Sequence, residues 1–317
     1  MNAAASIPAV SIVLPTFNRL RFIRLTVDSV FAQTFADWEL IIADDGSDEH
    51  TREYLRTLAS EPRVKLIWLA HTGIPAVVRN AALHEARGEY VAFLDSDDLW
   101  APRKLQRQFE LLRTRAGCRW IYTAFSQVDE SGRPLPEELH RRWIPYEGAV
   151  FERLVTGEVS VRTPSILAAR ELIVRAGGFD ETISSGEDYD LWMRMALESD
   201  LAVIDEPLVH VRRHDENHSR VWHTAYYGRD RVLEKLQSRV DASRRSLLRS
   251  ERVKNGLKLA AEYASLRESA NMLRALRFAF GFSWSYPRWW LNASKILVRG
   301  HLPRRLLDIY RAHCRGT

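Results

Sequence analysis

The sequence predicts an α/β fold with a mostly parallel sheet flanked by helices, followed by a helical C-terminal extension. Three observations predict it. Over the first hundred residues, short apolar runs alternate with segments whose apolar residues recur at helical spacing, the pattern of a parallel sheet. Polar and acidic residues stand directly after three of the short runs. Charge is divided along the chain: residues 231–317 hold 19 Lys/Arg against 6 Asp/Glu, a net of +13, which leaves −8 on residues 1–230 within the total of +5.

Val10–Leu14 is a short apolar run closed by Pro15 and reads as a buried strand. In residues 20–33, Leu20, Ile23, Val27, Val30 and Phe31 fall on one helical face. Leu40–Ala43 is the second strand and ends in Asp44-Asp45-Gly46-Ser47. Asp48 is placed to cap a helix over 49–59. Val64–Leu69 is the third strand, and 74–86 the next helix, with Ile74, Val77, Val78, Ala81 and Ala82 inward. Tyr90–Leu94 is the fourth strand and ends in Asp95-Ser96-Asp97-Asp98.

The 317 residues suit about two domains. With 46% hydrophobic and 27% charged residues the bulk can bury a core. Cys118 and Cys314 lie too far apart in sequence for a disulfide framework or a metal knuckle, which fits a reducing compartment. Residues 1–9 lack the charged and apolar regions of a signal peptide. No apolar run reaches the ~18 residues of a membrane span. The expected location is the cytoplasm, and the sequons at Asn217 and Asn292 read as chance matches.

Open α/β sheets bind ligands outside the carboxyl ends of their strands. Thr16, Asn18 and Arg19 follow strand one, Asp44 and Asp45 follow strand two, and Asp95 to Asp98 follow strand four. One such loop would be an ordinary turn or helix cap; three at one edge, with five Asp, read as a site. Clustered carboxylates call for a cation or donors, and Mg²⁺ is typically held by one or two carboxylates plus substrate phosphates. Neither a Walker loop nor a G-x-G-x-x-G fingerprint is present.

Val10–Arg19, Gln33–Ser47, Arg79-Asn-Ala-Ala, Gly88–Asp98, Gly177–Glu181 and Glu187–Arg194 occur in order. Together they resemble the family-2 glycosyltransferases of GT-A fold, a Rossmann-like architecture, over about residues 8–220. The resemblance implies a domain over 1–225, with a nucleotide-binding half at 8–100 and an acceptor-binding half at 101–225. It implies an inverting, divalent-metal-dependent enzyme (a hexosyl- or related transferase). Such an enzyme would move a sugar from a nucleoside-diphosphate sugar, a UDP-sugar first, to a glycan or lipid-linked acceptor, as in polysaccharide biosynthesis.

Residue by residue, the resemblance implies that Pro15, Thr16 and Arg19 line the nucleotide pocket while Asn18 shapes its turn. Asp45 should bond the base, Asp44 should support that loop, and Arg79 should approach the donor. Asp95, Ser96 and Asp97 match the Asp-x-Asp motif, with Asp97 the first metal ligand for Mg²⁺ or Mn²⁺. Asp95 is expected on the ribose or beside the metal. Asp98 is left between this cluster and a helix cap near Pro102. Asp188 matches the base position, with Glu187 and Trp192 toward the acceptor. His214 is expected to close over the diphosphate, while His210 and His218 stay unassigned. Gly177-Gly178 reads as a turn with positive φ.

Residues 129–147 read as an insertion, either a flap over the acceptor or a hairpin and connector. Residues 226–275 read as two helices, and Phe278–Leu291 interleaves aromatics with Arg before Lys295, Arg299, Arg304 and Arg305. That tail suits the cytoplasmic face of an anionic membrane or a helical cap with a solvated basic face. Nucleic acid is the weakest partner, since no groove-reading motif accompanies the charge. Two other functions compete. A nucleotidyltransferase would need a basic triphosphate loop after strand one, where only Arg19 and Arg21 stand. A non-catalytic glycan- or membrane-binding scaffold is disfavoured by the intact Asp45, Asp97 and Asp188 set.

Overall fold

A computed structural model describes residues 7–136, 144–215, 222–280 and 287–301. The chain divides into two units, Met1–Arg220 and Val221–Thr317. The first is the predicted α/β layer structure. Its strands are β1 (Val10–Thr16), β2 (Trp38–Asp44), β3 (Val64–Trp68), β4 (Tyr90–Phe93), β5 (Leu99–Trp100), β6 (Cys118–Val128), β7 (Leu167–Ala169) and β8 (Asp200–Arg212). They form one sheet in the order β3-β2-β1-β4-β7-β6-β8-β5. β1, β2, β3 and β4 run parallel, as do β6 and β8; β7 and β5 pair antiparallel with their neighbours.

The continuous apolar runs explain the centre. Val10, Ile12, Val13, Leu14, Leu40, Ile41 and Ile42 are fully buried, because helices cover both faces of the sheet. Glu39 is the exception inside β2. It is held by Ser11 Oγ at 2.7 Å and by two bonds from the Arg87 guanidinium at 2.8 and 3.0 Å.

Helix α1 (Leu20–Phe31) buries Phe22, Ile23, Val27 and Val30. Helix α2 (Glu49–Thr57) is capped by Asp48, whose carboxylate accepts from the Thr51 N–H; a 3₁₀ turn over Leu58–Ser60 replaces the end of the expected helix. Helix α3 (Pro75–His84) begins on its proline, whose missing N–H costs nothing there. Helix α4 (Lys104–Thr114) follows Arg103, with no side-chain cap, so Asp98 does not cap it.

Helices α5 (Phe151–Thr156) and α6 (Arg170–Ala176) precede α7 (Glu187–Ala196). Gly177 and Gly178 have φ of 89° and 65°, the left-handed turn read from the sequence. Part of the expected flap, 137–143, and His218 lie outside the described residues. Asp129 to Pro134 form a tight turn, with the Asp129 carboxylate accepting from the N–H groups of Ser131 and Arg133.

The second unit contains α8 (Trp222–Leu236), α9 (Ala242–Ser265), α10 (Ser269–Phe280) and α11 (Pro287–His301). Where the sequence reads two helices over 226–275 there are three. The break comes after Leu266, at Arg267 with φ 61°, a conformation no helix continues through. Leu259, Tyr263, Met272, Leu276, Trp289 and Ile296 form its core. A buried fork from Arg252 to Asp230, both bonds 2.9 Å, pins α9 to α8.

Candidate active site

Four loops at the carboxyl edge of the sheet are laced together. Asn18 adopts φ 51°, which Asn tolerates better than most residues. Its N–H donates to Ser47 Oγ at 2.8 Å, and its Oδ1 accepts from the Asp48 N–H at 2.7 Å. Asp44 is buried and accepts from Ser47 N–H and from Arg52 Nε at 3.1 Å, so it supports the loop. Asp45 accepts from the N–H and hydroxyl of Thr72, at 2.8 and 2.9 Å, and from Gly73 N–H at 2.9 Å. These bonds occupy most of a carboxylate's acceptor capacity. Asp45 therefore organises the rim around residues 71–73.

Gly46, at φ 78°, lies so close to His71 that a Cβ would sit 2.8 Å from its backbone nitrogen. The His71 ring stacks on exposed Phe17, centroids 4.1 Å apart. Thr16 is buried at the end of β1, and its Oγ1 has no partner among the described residues. Pro15 and Arg19 are half-buried beside it.

Arg79 joins the two halves of the site. From α3 it reaches Asp95 Oδ1 at 2.9 Å and Glu187 Oε1 at 2.6 Å. Burial works against its charge, but Asp95, Glu187 and Asp188 outweigh it and hold the guanidinium above its usual pKa. Glu187 moves upward as well, first through burial and then through the charge of Asp188, against the pull of Arg79. Arg79 is thus a buried strut between acids contributed by the loop after β4 and by α7.

Asp97 and Asp98 tie β4 to β8. His214 Nε2 lies 2.9 Å from Asp97 Oδ2. Arg212 donates from Nε to the Asp97 carbonyl at 2.7 Å and from its backbone N–H to Asp98 Oδ1 at 2.9 Å. Burial, then the charges of Asp97 and Asp95, push the Asp98 carboxyl well above the usual range. Ser96 is buried, and its carbonyl accepts from Thr26 Oγ1 at 3.0 Å.

Asp188 opens α7, where the helix end favours a carboxylate. Its Oδ2 accepts from Thr163 Oγ1 at 2.9 Å and its Oδ1 from the Tyr189 N–H at 2.7 Å. It remains half-buried. Trp192 corrects the expectation. It is 1% exposed and packs on Phe93, Trp120 and Phe179. Five positions after Glu187 the helix has turned it into the core, so it offers no surface to an acceptor.

Sequence reasoning missed Arg212, Thr163, His71 and Thr72. The last two follow β3, at the same sheet edge as the other loops, and that position was a usable signal. Arg212 and Thr163 owe their roles to contacts across 115 and 25 residues, which no local pattern encodes.

Asp95 and Asp97, the two carboxylates of this loop, stand with His214 at the sheet edge. The two carboxylates keep 31% and 21% of their side chains exposed, and their field already disturbs Asp98. Among the described residues no group of three or more His, Cys, Asp or Glu side chains is placed to hold a metal ion.

The sequence profile described as "Glycosyl transferase family 2" matches residues 11–171, half of the chain. The chain belongs to this family. It has the GT-A fold expected from the sequence motifs. It is similar to the putative teichuronic acid biosynthesis glycosyltransferase TuaG of Bacillus subtilis, 40% identical over 134 residues, 42% of this chain and 53% of that protein. The chain spans about half or less of the length of the first curated relatives it matches. The crystal structure of S. aureus TarS 1–349 with UDP-GlcNAc superposes with a TM-score of 0.70 at 19% identity, over 96% of this chain and 92% of that one. The mannosyltransferase PcManGT from Pyrobaculum calidifontis, in complex with GDP-Man and Mn²⁺, gives 0.60 at 19% identity over 93% and 86%. At these identities the superpositions carry the fold.

Proposed function

We propose that this family member is an inverting transferase that moves a sugar from a UDP-sugar or related nucleoside-diphosphate sugar to a hydroxyl of a glycan or lipid-linked acceptor. The observation that carries the reading is that buried Arg79 bonds both Asp95 and Glu187, which brings the Asp-x-Asp loop beside the start of the helix that carries the proposed base.

The nucleoside lies at the β1 and β2 loops, where Phe17 on His71 offers a flat rim and Thr16 an unused hydroxyl. Asp97, with Asp95 and His214, would hold Mg²⁺ or Mn²⁺, which when bound neutralises the departing diphosphate. Asp188 takes the acceptor hydroxyl's proton as that oxygen bonds the anomeric carbon. The bond from that carbon to the diphosphate breaks on the opposite face, so configuration inverts. Thr163 and the Tyr189 N–H fix the carboxylate during this transfer. Arg79 touches no substrate in this scheme and acts by positioning Asp95 and Glu187. The basic second unit places the enzyme at an anionic membrane surface. Trp290, Leu291, Leu297 and Val298 are exposed on α11 beside exposed Lys295, and no helix among the described residues is long and apolar enough to cross a membrane.

The test is release of nucleoside diphosphate from a panel of nucleotide-sugars with Mn²⁺ and glycan acceptors. Wild type should turn over at least one, and Asp188→Asn should not. Absence of turnover across UDP-, GDP- and dTDP-sugars would remove the reading.

A further inference from the structure

Two arginines beside the cleft have no role in the scheme above. Arg162 immediately precedes Thr163, the residue that bonds Asp188. Its carbonyl is fixed by the N–H and hydroxyl of Ser165 at 2.8 and 2.6 Å. Its guanidinium lies over the Phe125 ring, 5.2 Å from the centroid. Arg213 stands between Arg212 and His214, the residues that hold Asp97. Its Nε donates to Gln127 Oε1 at 3.2 Å, and it also lines a cleft of about 400 Å³ with Arg21, Asp129, Glu130, Ser131 and Arg133, in which Arg21 pairs with Glu130 and Arg133 with Asp129.

Phe125 and Gln127 are two apart on β6, in regular register with Val209 and Val211. They therefore share one face of the sheet, about 7 Å apart. The two arginines rest on adjacent positions of that face. Both side chains are exposed, and among the described residues neither has a carboxylate partner within ion-pair distance. Desolvation and then the charge of Arg213 depress the Arg162 pKa, while Asp188 and Asp98 oppose the shift. Two neighbouring cations without carboxylate partners make a ready fork for a dianion.

We propose that Arg162 and Arg213 bind a phosphate group carried by the acceptor. This rests on the transferase reading. Both guanidinium groups rest on β6 side chains, and Arg162 adjoins Thr163, which bonds Asp188, the side where the acceptor hydroxyl is deprotonated. The donor diphosphate belongs to Asp97 and His214. A phosphate or diphosphate a short reach from the attacking hydroxyl would dock the acceptor through two charged forks and leave the acids to the donor.

Titration of UDP with Mg²⁺ into wild type reads the donor site first. Inorganic phosphate is then titrated into the UDP·Mg²⁺-saturated protein and, separately, into metal- and nucleotide-free protein, followed by ³¹P NMR. Wild type should bind phosphate in both states. Arg162→Gln and Arg213→Gln should each weaken it about tenfold, with UDP·Mg²⁺ affinity within twofold of wild type. Arg213→Lys, which keeps charge but not the fork, should fall between. Failure of wild type to bind phosphate overturns the proposal, and so does loss of UDP affinity in the variants, which would assign the arginines to the donor. Failure of UDP·Mg²⁺ to bind sinks the transferase reading instead, and the nucleotide-free titration still reads the arginine pair.

Discussion

His214 Nε2 stands 2.9 Å from Asp97 Oδ2, although 117 residues separate them in the chain. The contact exists because β8 pairs with β6 and β5 and ends beside the loop after β4. It brings an imidazole to the only acidic motif that follows a central strand in an x-Asp-x-Asp pattern. His214→Ala should therefore weaken metal-dependent UDP binding at least tenfold, measured by calorimetry with and without Mn²⁺. Equal affinities would separate His214 from the diphosphate.

Arg79 holds two acids at once. Arg79→Met should cost about 3 kcal/mol of stability, because removing one partner leaves buried charge uncompensated. Urea denaturation checks this. A loss below about 1 kcal/mol would show that solvent already screens the acids. Arg79→Lys should recover part of the loss but not the two-pronged geometry.

For the proposed base, Asp188→Asn should lower kcat by about 10²–10⁴ while nucleotide affinity holds. Thr163→Val removes one of the two bonds to that carboxylate, and a smaller fall in kcat is expected, about tenfold for one orienting bond of ~1.4 kcal/mol. A Thr163→Val enzyme with wild-type kcat would leave the Asp188 rotamer independent of that hydroxyl.

His210 gives a pH test away from the metal locus. Burial holds its pKa below the usual 6.5, and Ser126 Oγ lies 2.6 Å from its Nδ1. A depressed imidazole favours the native state above pH 6.5, and that advantage is lost as pH falls from 6.5 toward the folded value. His210→Gln should thus cost roughly 1 kcal/mol near pH 8, the scale of one hydrogen bond. The gap to wild type should narrow toward pH 5. A gap constant with pH would contradict the assignment.

The membrane reading turns on α11. Trp290→Glu with Leu291→Glu should release the protein from anionic vesicles at low salt, read by co-sedimentation. Wild type that ignores such vesicles would remove the idea. The effect should shrink as ionic strength rises, since the electrostatic part is screened.

What the sequence made legible was local. Apolar runs placed β1, β2, β3 and β4, and the acids after them marked the ligand edge, because strand burial and strand ends leave short-range signatures. The partners of those acids were illegible. Glu187 meets Arg79 across 108 residues and Arg212 meets Asp97 across 115. Such pairs follow from the order in which strands join the sheet, not from spacing. Trp192 shows the opposite failure. An aromatic next to a catalytic motif read as site, yet helix phase carried it into the core. Asp45 was placed on the right loop, but its bonds to Thr72 and Gly73 could not be seen without β3 in register beside β2.

The central claim is that Asp97 anchors a metal-held nucleoside diphosphate while Asp188 serves the acceptor. Calorimetric titration of UDP into wild type, Asp97→Asn and Asp188→Asn, each with Mn²⁺ and with EDTA, tests it most directly. The account predicts Mn²⁺-dependent binding by wild type and Asp188→Asn, and loss of that dependence in Asp97→Asn. Equal UDP affinity in all three proteins, with or without Mn²⁺, would contradict it.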